Sequence, residues 1–322
     1  PACRGCLAKY PTRSGTDAPI PSGAVMLPAI GSRVSLRYRS GPAEHTDVIG
    51  ILEATEPALR IRTKSDGRVD VDPADVVAVR EISYKPVRTS EIRALEQAAA
   101  LAWPGVEQRW LGGWLLRAGH GSTSRANSAV PLDVSADLRA LPEIVEWYRT
   151  RGLPAWLALP ERLLPVRAAG IKPTRVLVAD PDGPTGDPAG VALSAVPDAD
   201  WRAVYDRDVP LDVLCAVVDG DVVFASVPGI AVGRGAVTTA PDGTRWLGIA
   251  AVRVAPEFRR QGHARRVCAA LRAWGGEQGA HRAYVQVLSD NRAAVALYAS
   301  TGYRLHHSLR YVEAAQLLPP TI

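Results

Sequence analysis

No stretch of this sequence reaches the roughly 18 to 20 consecutive apolar residues that a bilayer-spanning helix requires, so no membrane partner is expected. Residues 1–26 also lack the apolar core of a secretory signal. They are rich in Pro, Gly and Ser, show no hydrophobic periodicity, and end at Met26, the one methionine of the chain. Two readings of that segment stay open: a disordered leader and an artefact of start assignment. Cysteine is scarce, with only Cys3, Cys6, Cys215 and Cys268. Cys3 and Cys6 form a CxxC, yet no second CxxC or CxxH follows at zinc-ligand spacing, so no metal is expected. The two isolated cysteines suit a reducing compartment, and the expected location is the cytoplasm. Lysine is far rarer than arginine and alanine is abundant, which reads as the product of a GC-rich bacterial genome. The net charge of +5 and pI of 9.2 are mild. They fit an anionic ligand without demanding nucleic acid.

The chain has 322 residues, 47% hydrophobic and 22% charged, a globular composition too long for one ordinary domain. Residues 27–84 read as five short strands ("RVSLRYR", "TDVIGILEAT", "ALRIRTK", "RVDVD", "ADVVAVREI") separated by turn residues. That pattern predicts a small SH3-like β-barrel. Tyr38 and Tyr84 are its only aromatics, too few for a proline-rich-peptide groove, so a packing appendage is favoured. Contact of the barrel with nucleic acid or protein stays open.

Residues 86–180 and 190–314 read as two α/β domains joined by the linker "DPDGPTGDPAG" at 180–190. The first opens with the helix "TSEIRALEQAAALAW", with Thr89 or Ser90 as its N-cap. Two segments align as an internal repeat. They are "EIVEWYRTRGLPAWLALPERLLPVRAAGIKPTRVLVAD" and "LRAWGGEQGAHRAYVQVLSDNRAAVALYASTGYRLHHSLRYVEA". Each carries a helix ending in Gly, a buried strand, a short helix ending in Gly and a final strand. The expected fold class is α/β (α+β): a duplicated fold with a central mixed sheet behind the small barrel.

Chemistry concentrates in "VAPEFRRQGHARRVCAALRAW", 254–274, where a strand ends at Pro256 and a helix opens near Gly262. Arg259, Arg260, Arg265 and Arg266 crowd this turn, and like charges at the positive end of a helix dipole call for an anion. Gly262 lets the backbone approach that anion closely, and the first helical N–H groups point at it. The arrangement suits a pyrophosphate.

Here the chain resembles the GCN5-related N-acetyltransferases. "RRQGHA", Arg259 to Ala264, is similar to that family's Arg/Gln-x-x-Gly-x-Gly/Ala signature. "SDNRAAVALYASTGYR" is similar to its Asn-x-x-Ala-x-x-x-Tyr-x-x-x-Gly-Phe/Tyr region. The resemblance spans 190–313, and the whole chain looks like the actinobacterial members that carry an SH3-like N-terminal domain. It implies tandem copies of that family's fold, with a sheet splayed at its fourth strand and acetyl-CoA in the splay. The implied reaction is acetyl transfer to a primary amine by direct attack in a ternary complex. The implied cofactor contacts are Val252, Arg253 and Val254 against the pantetheine and Asn291 at the next helix. Arg259, Arg260, Gln261, Gly262, His263, Ala264 and Arg265 would surround the pyrophosphate. Tyr298 matches the family's general acid, and a phenol there can protonate the departing thiolate.

The general base is open. Many relatives carry a glutamate where this chain has Gln286, and an amide is no useful base. A water relay, an acid elsewhere (Asp206, Asp208, Asp212 or Glu257) or an amine arriving neutral would serve. His263 reads as a solvent-facing position, and His306 and His307 as surface or packing residues. In the first copy Val166, beside Pro165, takes the place of Tyr298, and no Gly-x-Ala cradle precedes helix 138–151. That copy is expected to shape the acceptor groove, with Ser124, Arg125, Asn127 and Ser128 as candidates for touching substrate. The alternative function is a non-catalytic acyl-CoA-binding regulator whose barrel contacts a macromolecule.

Overall fold

A computed structural model describes residues 27–65, 67–180 and 186–318, which divide into two compact units after Glu81. The 1–26 segment with its CxxC, and part of the 180–190 linker, lie outside the described residues.

The N-terminal unit is a five-stranded antiparallel sheet of β1 (Arg33–Arg39), β2 (His45–Ala54), β3 (Leu59–Thr63), β4 (Arg68–Val71) and β5 (Val76–Glu81). Strand alternation sends Val34, Leu36, Leu52, Leu59, Ile61 and Val71 into one core while arginines and acids face outward. Gly50 is required where β2 crosses β3, because a Cβ there would run into the Arg62 carbonyl. The strand order is β4-β3-β2-β1-β5, so β4 and β5 end the sheet without pairing to each other. The expected strands are present, but no closed barrel forms among the described residues.

The second unit comprises two topologically similar halves. The first contains α1 (Thr89–Ala102), β6 (Glu107–Leu111), β7 (Trp114–Ala118), β8 (Val130–Pro131), α2 (Leu141–Arg149), β9 (Trp156–Pro160) and β10 (Ile171–Ala179). The second contains β11 (Ala192–Ser194), α3 (Ala199–Tyr205), α4 (Leu211–Cys215), β12 (Asp221–Val227), β13 (Ala231–Thr239) and β14 (Arg245–Val254). It ends with α5 (His263–Glu277), β15 (Arg282–Leu288), α6 (Arg292–Ser300) and β16 (Arg304–Glu313).

An eight-stranded sheet runs β11-β12-β13-β14-β15-β10-β16-β9, beside a smaller sheet β6-β7-β8. A parallel bridge from Ala129 to Leu157 links the two. The final strands of the repeats are exchanged: β10 lies between β15 and β16, and β16 lies between β10 and β9. The antiparallel β10–β16 ladder, with Val176 opposite His307, therefore ties the halves into one core.

Helices α5 and α6 cover one face of the sheet, packing Val267, Leu271 and Tyr298 on Leu247, Ile249 and Val285. Helix α1 covers the other, with Leu95, Ala98 and Ala99 against Val176, Trp246 and Tyr284. Its N-terminus differs from expectation: Arg88 is the N-cap, and Glu91 reaches back to accept from the Arg88 N–H at 2.7 Å. Residues 162–170, read as a short helix, form turns and irregular backbone. Pro165 lacks the N–H a helix needs, and Arg162 sits at a left-handed φ of 66°. Leu211–Cys215 is helical.

Candidate active site

β14 and β15 run parallel and pair from Trp246 and Arg282 to Ile249 and Val285. They then part. β15 continues its ladder with β10 out to Leu288, and β14 continues with β13 out to Val254. A bulge sharpens the divergence, with Ala251 at a φ of 54°. The far arm of β14, residues 250–254, is left with a backbone edge that β15 does not pair. Buried or not, such N–H and C=O groups need partners. Val252, Arg253 and Val254 lie on this arm. The two valines pack toward α5, and Arg253 Nη2 donates to Asp206 Oδ2 at 2.5 Å.

The chain leaves β14 through Pro256, passes Arg260 at a φ of 64° and enters α5 at Gly262, whose φ is 86°. Gly262 is the N-cap and offers no side chain to the first N–H groups; a Cβ there would meet no protein atom within 4 Å. The space in front of the helix start is open. The arginines fan outward. Arg259 Nε donates to the Val254 carbonyl at 3.4 Å, Arg265 Nη2 to Ser300 Oγ at 2.8 Å, and Arg266 to the Ala189 carbonyl. Gln261 bonds the Glu257 carbonyl at 3.3 Å. Arg260, alone of the four arginines, makes no hydrogen bond or ion pair among the described residues. Ala264 is half-buried in the first turn. His263 is not the solvent-facing residue expected: its Nδ1 is buried without a partner, and its ring meets Phe258 edge-on at 6.3 Å.

Asn291 caps α6, its Oδ1 accepting from the Ala294 N–H at 3.1 Å. Tyr298 is buried between α6 and α5, beside Tyr303 at 5.3 Å and in one core cluster with Cys268. Burial first, and the neighbouring Cys268 and Tyr303, raise the Tyr298 hydroxyl well above its ordinary range. Burial pushes the Cys268 thiol up to about 12. Both groups keep their protons at neutral pH.

On the opposite face, Gln286 is the first β15 residue beyond the last pair with β14, at the vertex of the fork. Its Nε2 donates to Oε1 of Glu96 at 3.2 Å. Glu96 comes from α1, only 5% exposed, and the same Oε1 meets His307 Nε2 at 3.0 Å. His307 Nδ1 in turn meets His306 Nδ1 at 2.8 Å. The two histidines are buried at 0% and 1% exposure, not surface residues. The acids singled out from the sequence are engaged elsewhere or exposed: Asp206 pairs with Arg253, Asp212 pairs with His120 at 2.7 Å, and Asp208 and Glu257 are on the surface. Glu96 was missed. Its signal was a lone carboxylate inside the apolar stripe Ile92, Leu95, Ala99 of α1.

The first copy's polar cluster separates by role. Asn127 and Ser128 are buried: Asn127 Oδ1 accepts from the Gly119 and Gly121 N–H groups at 2.8 and 2.9 Å, and its Nδ2 donates to the Thr123 carbonyl at 2.7 Å. Ser124 Oγ accepts from Lys172 Nζ at 2.6 Å. Arg125 is half-buried over the Trp103 ring, 5.3 Å from its centroid. No cluster of three or more metal-ligating side chains occurs among the described residues, and no helix there is long and apolar enough to cross a membrane.

Residues 89–312 match the family described as "Probable histone acetyltransferase Rv0428c C-terminal", and residues 28–80 match "Rv0428c N-terminal Sm-like domain". The Sm-like assignment replaces the SH3-like one expected from strand spacing; five short strands with these turns suit either small β fold. A protein of Mycobacterium tuberculosis (strain ATCC 25618 / H37Rv), named "Probable histone acetyltransferase Rv0428c", is 48% identical over 297 residues. The match covers 90% of this chain and 97% of that protein. "Uncharacterized N-acetyltransferase YobR" of Bacillus subtilis (strain 168) is 26% identical over 246 residues, covering 66% and 94%. Among solved structures, a GCN5-related N-acetyltransferase from Kribbella flavida covers 71% of this chain and 96% of its own. Its TM-score is 0.51 at 20% identity, a likeness of fold.

Proposed function

The chain belongs to the acetyltransferase family of Rv0428c, among the GCN5-related N-acetyltransferases, and from that premise we propose that it transfers the acetyl group of acetyl-CoA to a primary amine by direct attack in a ternary complex. The observation that carries this reading is the β14–β15 fork, with an uncapped helix start on one face and a buried carboxylate on the other.

The residues fit acetyl-CoA. The unpaired edge of β14 at Val252–Val254 suits the amides of a pantetheine arm, and the open space before Gly262 suits a pyrophosphate held by main-chain N–H groups. Arg260 makes no hydrogen bond or ion pair among the described residues and is the arginine free to turn toward it. Arg259 and Arg265 hold single contacts to neutral oxygens, which a phosphate can replace with stronger charge-assisted ones. Asn291 keeps its amide nitrogen available at the start of α6. When bound, acetyl-CoA supplies a thioester carbonyl and a sulfur that leaves as thiolate.

Glu96 takes the proton of the acceptor amine. Oε1 is anchored by His307 and Gln286, which fixes the carboxylate, and Oε2 makes no hydrogen bond among the described residues. Gln286 thereby positions the base instead of being one. Tyr298 holds its proton through burial, and a phenol that keeps its proton can hand it to the departing thiolate. The first half supplies Glu96 while the second supplies the cradle, which accounts for two fused copies with one signature. The reduced thiols Cys215 and Cys268 suit a cytoplasmic location.

Thermal-shift titration with acetyl-CoA, run beside a free-thiol release screen over a panel of primary amines, tests this. Stabilisation with amine-dependent release is expected. Stabilisation without release would favour the regulatory alternative, and no stabilisation at all would remove the acetyl-CoA reading.

A further inference from the structure

Three guanidiniums converge on Trp103 at the end of α1, and two are fully engaged. Arg117 is buried and donates to the Trp103 carbonyl at 3.4 Å, the Ser128 carbonyl at 3.5 Å and the Ser128 hydroxyl at 3.3 Å. Arg234 is buried over the Trp103 ring at 4.6 Å and donates to the Leu214 and Ala216 carbonyls, each at 2.7 Å. Arg125 shares that ring at 5.3 Å but has no hydrogen bond and no ion pair among the described residues. No carboxylate among the described residues pairs with any of the three. Lys172, bonded to Ser124 next to Arg125, adds a fourth cation and no acid.

The loop that presents Arg125 is built rather than loose. Asn127 cross-links both of its ends, and Thr123 Oγ1 accepts from the Ala126 N–H at 3.1 Å and from Trp103 Nε1 at 3.3 Å. Its location is equally specific. Trp103 packs in one cluster with Ala250 and Ala251, where the free arm of β14 begins. Glu96 lies seven residues earlier on the same face of α1, a rise of about 10 Å. Glu96 and Trp103, whose ring carries Arg125, therefore stand on one face of α1 two turns apart, and Trp103 packs where the free arm of the fork begins.

Clustered cations in a poorly solvated place are unfavourable unless an anion joins them. Burial lowers the Arg234 guanidinium to about 10, and the field of Arg125 adds to that depression. Burial raises Tyr205, Tyr284, Tyr298 and Tyr311, and Arg125 opposes the rise at all four.

We infer that Arg125 is the anion anchor of the acceptor site, and that the acceptor is a primary amine carrying a carboxylate, its nitrogen at Glu96 and its carboxylate in the guanidinium fork of Arg125. The inference rests on the acetyl-transfer reading above. An arginine fork matches a carboxylate in two parallel hydrogen bonds. The two-turn spacing suits an ω-amino carboxylate over a lysine side chain on a polycationic peptide, which Arg125 and Lys172 would repel.

The test compares 5-aminopentanoate with its uncharged amide and with a lysine-rich basic peptide, on the full chain with saturating acetyl-CoA. Charge-assisted hydrogen bonds predict a preference in kcat/KM for the carboxylate over the amide of about ten- to a hundredfold. Arg125→Gln should bring that ratio close to one, while Arg125→Lys should keep part of it; thermal melts of both variants confirm the fold. Equal use of acid and amide by the natural chain, an unchanged ratio in Arg125→Gln, or preference for the basic peptide overturns the inference. Calorimetry of 5-aminopentanoate with the CoA-loaded protein decides it without turnover. Binding that Arg125→Gln abolishes supports the anchor even if no thiol is released, in which case the transferase reading fails instead. Absence of binding by the natural chain rejects the anchor.

Discussion

Replacing Glu96 by glutamine is the sharpest perturbation of the proposed chemistry. The glutamine carbonyl has the shape and position of Oε1, so it can still accept from His307 and Gln286 across the 3.0 and 3.2 Å contacts. Only the charge assistance is lost, and stability should fall by about 1 kcal/mol. The amide cannot take a proton. A positioned general base contributes about 10²- to 10⁴-fold, or roughly 2.7–5.4 kcal/mol of barrier. Glu96→Ala separates the two effects, because it strands two buried donors at about 1–3 kcal/mol each. The expected pattern is a strongly lowered kcat/KM in both variants and a clearly lowered melting temperature only in Glu96→Ala. The assay is thiol release with an amine that the natural protein acetylates, followed across pH, where raising the pH should partly rescue Glu96→Gln by delivering neutral amine. If Glu96→Gln runs within twofold of the natural protein at every pH, the carboxylate is structural and the reasoning from the fork is wrong.

Gly262→Ala should weaken acetyl-CoA binding measured by calorimetry, because the new Cβ enters the open space before α5. Its left-handed φ also adds about 1–2 kcal/mol of strain; unchanged affinity would refute the cradle. Tyr298→Phe should lower turnover and leave acetyl-CoA affinity near normal, and full activity across pH would remove its role as acid. His306 is held neutral, lowered to about 3 by burial and then by His307, Arg282, Lys85 and Arg162. The unfolded chain takes up a proton at that ring near pH 6.5 that the folded protein refuses until about pH 3. Stability should therefore decline as pH falls through that window, by up to about 1.4 kcal/mol per pH unit from this ring. His306→Gln should flatten the dependence of Tm on pH between 6 and 4, and an unaltered slope would exclude the ring as its source. In the N-terminal unit, Gly50→Ala should lower the thermal stability of the five-stranded sheet by several kcal/mol, in the range of overpacking.

Periodicity and turn chemistry act over a few residues, and what depends on them was legible from the chain alone. The strands of 33–81 and the helix that opens at Gly262 appear where local pattern puts them. The recurring order of helix, strand, short helix and strand also announced two related halves, although the first half does not form the short helix. Partner choice is different. Nothing local says that β10 inserts between β15 and β16 instead of closing its own half, since both arrangements satisfy the same alternation and the same backbone hydrogen bonds. That exchange brings Val176 of one half beside Gln286 and His307 of the other, under α1. Glu96 therefore meets groups 190 and 211 positions away, a proximity no spacing rule contains. The same holds for Arg125, one arginine among many until the folded chain leaves it without a counter-charge. Local sequence thus determined most of the elements and the glycine turn into α5. Only the tertiary structure decided that Glu96 meets Gln286 and His307 and that Arg125 lies over Trp103, because those are long-range outcomes of how two similar halves share one sheet.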